Sequence, residues 1–146
     1  MINVIGGGFM TSITTKDLQS LLPMVEKNII LFERYDGVRF VLERSLAKYE
    51  EDICIHTSHW KNEIKKMIDH NNADLLITEL SNVNPDGLEL SRYARKISPG
   101  LKILWITVLG CDIFRKQKQQ LGNIQCVEKP LKIEDFREDV LEALKL

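Results

Sequence analysis

The sequence predicts an α/β domain built on a doubly wound, five-stranded parallel sheet flanked by five helices. Three observations predict it. From about Asn28 onward, short apolar runs alternate with segments whose apolar residues recur at helical spacing. The runs are near-continuously apolar rather than alternating, which suits strands covered on both faces. Turn chemistry separates the segments, most clearly at Asn82-Val83-Asn84-Pro85-Asp86-Gly87 and Ser98-Pro99-Gly100.

Ile29-Ile30-Leu31-Phe32 is the first strand of this unit, and Asp36-Gly37 leads into a helix with Val38, Val41, Leu42, Leu46 and Tyr49 on one face. Ile53-Cys54-Ile55-His56 is the second strand; Trp60, Ile64, Met67 and Ile68 mark the second helix. The third strand covers Ala73 to Leu80, and the third helix runs from Leu88 to Ile97. Leu101 to Val108 is the fourth strand, in which Trp105 has the parity of Thr107 and a packing role. Asp112 to Leu121 reads as a polar-rich fourth helix, Ile124 to Val127 as the fifth strand, and Ile133, Phe136, Val140 and Leu144 as the apolar face of the last helix. Residues 1–27 read as an extension: the triplet Gly6-Gly7-Gly8 is flexible, and Thr15 to Lys27 is a mobile lead-in or a short docking helix, kinked at Pro23. The domain proper is expected over residues 28–146.

Composition narrows the function. With 44% hydrophobic and 28% charged residues and a formal net charge of −1, the chain has an ordinary soluble composition and no field for nucleic acid or an anionic membrane. No apolar stretch approaches the ~20 residues that span a bilayer. The three scattered cysteines, Cys54, Cys111 and Cys126, read as free thiols in a reducing cytoplasm. Cys54 and His56 lack further ligands at zinc spacing, and the glycine triplet lacks the Gly-Lys-Ser/Thr of a phosphate loop.

In open parallel sheets, ligands bind beyond the carboxyl ends of the strands. Glu33, Glu79, Thr107 and Lys129 each close a strand, so one crevice receives two acids, a hydroxyl and a lysine. The order and spacing of the motifs over 28–146 resemble the receiver domain of bacterial two-component response regulators. The segment Ala73 to Leu80 with Asp86-Gly87 following, the run Ile103 to Thr107, and Val127-Glu128-Lys129-Pro130 carry the resemblance. It implies a flavodoxin-like strand order, 2-1-3-4-5, and a regulatory rather than enzymatic domain. It also implies a phosphoacceptor at position 79, an acidic Mg²⁺ pocket at 33 and 34, switch and phosphate contacts at Thr107 and Lys129, a cis peptide at Pro130 and an aromatic switch at position 126.

The chain departs from that pattern where the chemistry is most demanding. The acidic pair reads Glu33-Arg34, the acceptor aspartate is Glu79, and the aromatic is Cys126. A guanidinium in the acidic pocket opposes a dication that wants hard oxygen ligands. The extra methylene of Glu79 moves its oxygen off line, and an error of about 1 Å costs on the order of a hundredfold in rate. The expectation is a pseudo-receiver with a degraded Mg²⁺ site, at most weak Mg²⁺ binding and no other cofactor. An Arg34–Glu79–Lys129 network, with Thr107 donating to Glu79, would stand in for metal and phosphate.

Receivers generally signal through the fourth helix, fifth strand and last helix. Ile113, Phe114 and Leu121 are the expected apolar anchors of that face, beside a basic rim with Arg115 and Lys118. Partners implied are a histidine kinase, a downstream regulator or a second copy of the chain. Two competing readings are a working receiver phosphorylated by a histidine kinase and a flavodoxin-like small-ligand binder. Against the latter, Glu33-Arg34-Tyr35-Asp36 follows the first strand where a phosphate loop would be needed.

Overall fold

A computed structural model describes residues 2–6, 9–15, 26–49, 51–70 and 72–145. Five strands form one parallel sheet: β3 (Lys27–Phe32), β4 (Ile53–Thr57), β5 (Leu75–Leu80), β6 (Lys102–Thr107) and β7 (Ile124–Glu128), in the spatial order β4-β3-β5-β6-β7. Numbered within the sheet, that order is 2-1-3-4-5, as the resemblance implies. The helices between them are α1 (Asp36–Ser45), α2 (Lys61–Asp69), α3 (Asp86–Ile97), α4 (Arg115–Leu121) and α5 (Ile133–Leu144).

The period-two geometry of the strands divides the core into two layers. Ile29, Leu31, Ile77, Leu104 and Ile106 face Leu42 of α1 and Phe136 and Val140 of α5. Ile30, Phe32, Leu76 and Trp105 face Ile64 of α2 and Leu90 and Ala94 of α3. Both faces are covered, which is why the strands carry no polar alternation. Trp105 is fully buried and donates from Nε1 to Ser91 Oγ at 2.8 Å, so its packing role includes a satisfied polar handle. Two long side chains close helix ends from a distance: Arg137 Nε donates to Ser45 O and Lys102 Nζ to Ala143 O, both at 2.8 Å.

The structure departs from expectation at three places. Within the N-terminal extension, β1 (Ile2–Gly6) and β2 (Phe9–Ile13) pair antiparallel in a small sheet of their own, with Gly6 opposite Phe9 and Ile2 opposite Ile13. Ile2, Val4 and Ile5 before the glycines and Thr11 and Ile13 after them are strand formers that suit a hairpin, while Gly7 and Gly8, expected to be flexible, lie outside the described residues. The helix expected from Thr15 to Lys27 lies largely outside the described residues, and Lys27 itself opens β3. The fourth helix does not begin at Asp112: Cys111–Phe114 forms a 3₁₀ turn, and only Arg115–Leu121 is α-helical. The turn exists because Phe114 is drawn inward, its ring edge-on to Trp105 at 6.2 Å. Finally, Cys111 and Cys126 are joined in a disulfide, leaving Cys54 as the free thiol. The turn after β6 brings the two Cα atoms to 6.0 Å, within bridging range, a juxtaposition that their spacing of 15 in sequence does not announce.

Candidate functional site at the carboxyl edge of the sheet

Glu33 follows the last residue of β3, Glu79 is the penultimate residue of β5, Thr107 ends β6 and Lys129 follows β7. Parallel strands put all four at the same edge. Of the two acids after β3, Glu33 faces inward and is wholly buried, whereas Asp36 is exposed and pairs with Arg39 at 2.8 Å.

The expected single network of Arg34, Glu79 and Lys129 is not what forms. Lys129 Nζ donates to Glu33 Oε2 at 2.9 Å, reaching over the ends of the two strands that lie between them. The Tyr35 backbone N–H donates to the other Glu33 oxygen at 3.1 Å, and Lys129 Nζ stands 5.5 Å from the centre of the Tyr35 ring. Arg34 Nη2 is 3.6 Å from Glu79 Oε1, an ion pair too long for a hydrogen bond. The lysine goes to Glu33 because the most deeply desolvated charge gains most from a countercharge. Glu79 keeps only the half-exposed guanidinium.

The two pairs meet at the acids. Burial raises the Glu33 pKa above the ordinary glutamate value, and a hydrogen bond with the Glu79 carboxyl raises it further; Lys129 and the Tyr35 N–H pull the other way. Glu79 Oε2 is buried and accepts no hydrogen bond from a described N–H or hydroxyl group. The arrangement is a carboxyl pair flanked by one cation on each side.

Thr107 does not donate to Glu79. Its fully buried hydroxyl oxygen accepts from the Leu109 N–H at 3.0 Å, capping the turn after β6 instead. The Lys129–Pro130 peptide is cis. Cys126 lies opposite Trp105 in the β6–β7 ladder and is tied to Cys111, not free. On the fourth-helix face, Ile113 is exposed, Leu121 half-buried, and Arg115 pairs with Asp112 at 3.0 Å. Lys118 is exposed, while Phe114 is a core residue rather than a surface anchor.

Two residues, Gly87 and Thr78, shape the site through contacts that one sequence does not show. A Cβ built on Gly87 would lie 1.8 Å from the Glu79 carbonyl oxygen, so only glycine lets the start of α3 rest on the end of β5. Thr78, fully buried, turns its hydroxyl toward the same carbonyl at 3.3 Å. Asp-Gly after a loop marks the turn, but not the backbone approach that forbids a side chain.

The receiver pattern implies Mg²⁺ here, and the donor set does not fit it. Both Glu33 oxygens are engaged, one by an ammonium and one by an N–H, and a guanidinium rather than a further oxygen ligand stands 3.6 Å from Glu79 Oε1. The crevice between Arg34, Glu79, Asn84 and Gly87 leaves no room for a water molecule. Among the described residues, no group of three acidic, histidine or cysteine side chains converges on a metal position.

No protein-family model matches the chain. It is 27% identical over 120 residues to the response regulator receiver protein CpdR of Brucella abortus, covering 81% of this chain and 97% of that one. In structure it matches the non-phosphorylated HemR receiver domain of Leptospira biflexa with a TM-score of 0.73 at 20% identity, over 83% of this chain and 96% of that one. A response regulator from Thermotoga maritima matches with a TM-score of 0.71 at 13% identity, over 84% and 100% of the two chains. The fold is the flavodoxin-like, CheY-like receiver fold. The likeness to the solved structures shows the fold, and the curated relative is a response regulator receiver protein. No helix among the described residues is long and apolar enough to cross a membrane.

Proposed function

We propose that this chain is a pseudo-receiver: a cytoplasmic two-component signalling module that works through protein–protein contact, without Mg²⁺-dependent phosphorylation at position 79. Its receiver-like unit spans 28–146, with residues 1–27 as an extension. The observation that carries this reading is the pair of ion pairs in the crevice, Lys129 with Glu33 and Arg34 with Glu79. Phosphoryl transfer depends on cations around the transferred group and on an in-line nucleophile. Here the cations are already neutralising carboxylates, and the nucleophile carries an extra methylene. The crevice is internally balanced in charge, so it holds one arrangement without a removable group. Partners are a histidine kinase, a downstream regulator or a second copy, met through the surface that Ile113, Arg115, Lys118 and Leu121 help to form.

Acetyl phosphate and Mg²⁺, read by intact mass, test this reading. The native chain is expected to take up no phosphoryl group. Uptake by Glu79→Asp alone would place the loss at residue 79, and failure of both would place it in Glu33 and Arg34. Stable uptake by the native chain would overturn the proposal in favour of a working receiver.

A further inference from the structure

The Cys111–Cys126 disulfide ties the turn after β6 to the middle of β7 and encloses the whole of α4 in its ring. Nothing in the crevice chemistry uses it. A helix of seven residues without a buried side chain cannot hold itself in water, so α4 is held at its ends. At its carboxyl end, Arg95 Nη2 donates to Gly122 O at 2.8 Å, while Nη1 of the same side chain holds Leu101 O at 2.6 Å. At its amino end there are three ties: Phe114 against Trp105, the Cys111 N–H donated to Glu128 Oε1 at 3.0 Å in an exposed position, and the disulfide. The disulfide is the covalent member of that set and the one that a thiol reductant can open. Both cysteines are half-buried rather than sealed in the core, and thiol–disulfide exchange depends on access to one of the two sulfurs.

We propose that Cys111 and Cys126 form a thiol–disulfide modification site whose redox state sets how firmly α4, and the face it carries, is held against the sheet. The reductant is a small or protein-borne dithiol. One of its thiolates attacks a sulfur of the pair, forming a mixed disulfide and releasing the other cysteine as a thiolate that takes a proton. The second thiolate of the reductant then attacks the reductant's own sulfur in the mixed disulfide and frees the first cysteine. Two electrons and two protons pass to the protein, and the dithiol becomes a disulfide. Glutathione disulfide, or another disulfide oxidant, runs the exchange backwards. In the reduced form, Phe114 and one exposed hydrogen bond remain to hold the amino end, so α4 opens more often while the sheet stays intact.

The test uses the full chain in oxidised and in reduced glutathione or dithiothreitol, with maleimide labelling and amide hydrogen exchange read by mass. Of the three cysteines, the oxidised protein is expected to label at Cys54 only, and the reduced protein at all three. Exchange across Arg115–Leu121 is expected to accelerate by about tenfold or more on reduction, with β5 and β6 unchanged. Cys111→Ser should exchange at the reduced rate in both buffers, and Cys54→Ser should still switch. Labelling of all three cysteines in the oxidising buffer would overturn the proposal, and so would equal exchange of α4 in both. The native chain needs no substitution for either readout, so a variant that fails to fold does not obscure the result. The measurement involves no phosphoryl donor or partner, so its failure would leave the proposed function untouched.

Discussion

Lys129 Nζ lies 2.9 Å from Glu33 Oε2, joining residues 96 positions apart in the chain. Glu33 is fully buried, and only 12% of the Lys129 side chain is exposed. Replacing one member of such a pair costs more than the pair contributes, because the remaining charge is left uncompensated. Lys129→Met is therefore expected to lower stability at neutral pH by about 3 kcal/mol. The double variant Lys129→Met/Glu33→Gln should recover much of that loss, since no ion is then stranded. Urea unfolding of the two variants checks this. Equal losses in both would mean that the charge on Glu33 is not what the lysine compensates.

The acid pair sets a direction for pH dependence. Burial and the neighbouring Glu79 carboxyl hold the folded-state pKa of Glu33 above the ordinary value of 4.5. The folded protein therefore binds more protons than the unfolded chain between 4.5 and that raised value, and stability falls as pH rises through this window. Glu89 acts in the opposite sense. Lys61 at 2.8 Å and Lys65 at 3.0 Å hold its carboxyl below 4.5, so its contribution is present above that value and is lost as pH falls. Glu33→Gln should flatten the decline in melting temperature above pH 4.5 and leave the acid limb unchanged. An undiminished decline in the variant would place the titration elsewhere.

Much of this was legible in the sequence, and the residues show where legibility stops. Apolar runs such as Ile29 to Phe32 and Leu75 to Leu80 are strands buried on both faces, and that property depends on local composition alone. The strand-end positions of Glu33, Thr107 and Lys129 follow from the same pattern. Which acid takes which cation does not: Lys129 chooses Glu33 because Glu33 is the more desolvated, and desolvation belongs to the packed tertiary structure. Phe114 departs from the expected surface position for a related reason. On a regular helix it would share the face of Leu121, but the 3₁₀ turn rotates it into the core. Cys111 and Cys126 meet only because β6 and β7 are ladder neighbours and the turn after β6 folds back.

Gly87 offers a direct probe of how the edge is built. Its missing side chain lets the start of α3 rest on the Glu79 carbonyl, where a Cβ would lie 1.8 Å from that oxygen. The obstacle is backbone, not the far end of a flexible side chain, so α3 or β5 must move. Gly87→Ala is expected to cost about 1–3 kcal/mol, the usual penalty for overpacking. Gly37→Ala, with nothing within 4 Å of its added Cβ, should be neutral or mildly stabilising in α1. Thermal unfolding of the two variants compares them directly. Equal tolerance would mean that the approach of α3 to β5 is looser than the structure shows.

Ile113 and Phe114 adjoin in sequence and separate in role. Ile113 is 59% exposed, whereas Phe114 is 7% exposed and packs edge-on against Trp105. Phe114→Ala removes a core ring and one of the ties holding the amino end of α4, and is expected to cost about 3–5 kcal/mol. Ile113→Ala should change stability by no more than ~0.5 kcal/mol, as surface substitutions do. If the fourth-helix face contacts a partner, the order reverses in a binding measurement. Ile113→Ala then weakens association while leaving the fold intact, and any effect of Phe114→Ala tracks its loss of stability. Paired chemical denaturation and sedimentation of the two variants separate these contributions. An Ile113→Ala protein that associates as the native chain does, at concentrations where the native chain self-associates, would remove this residue from the interface between copies.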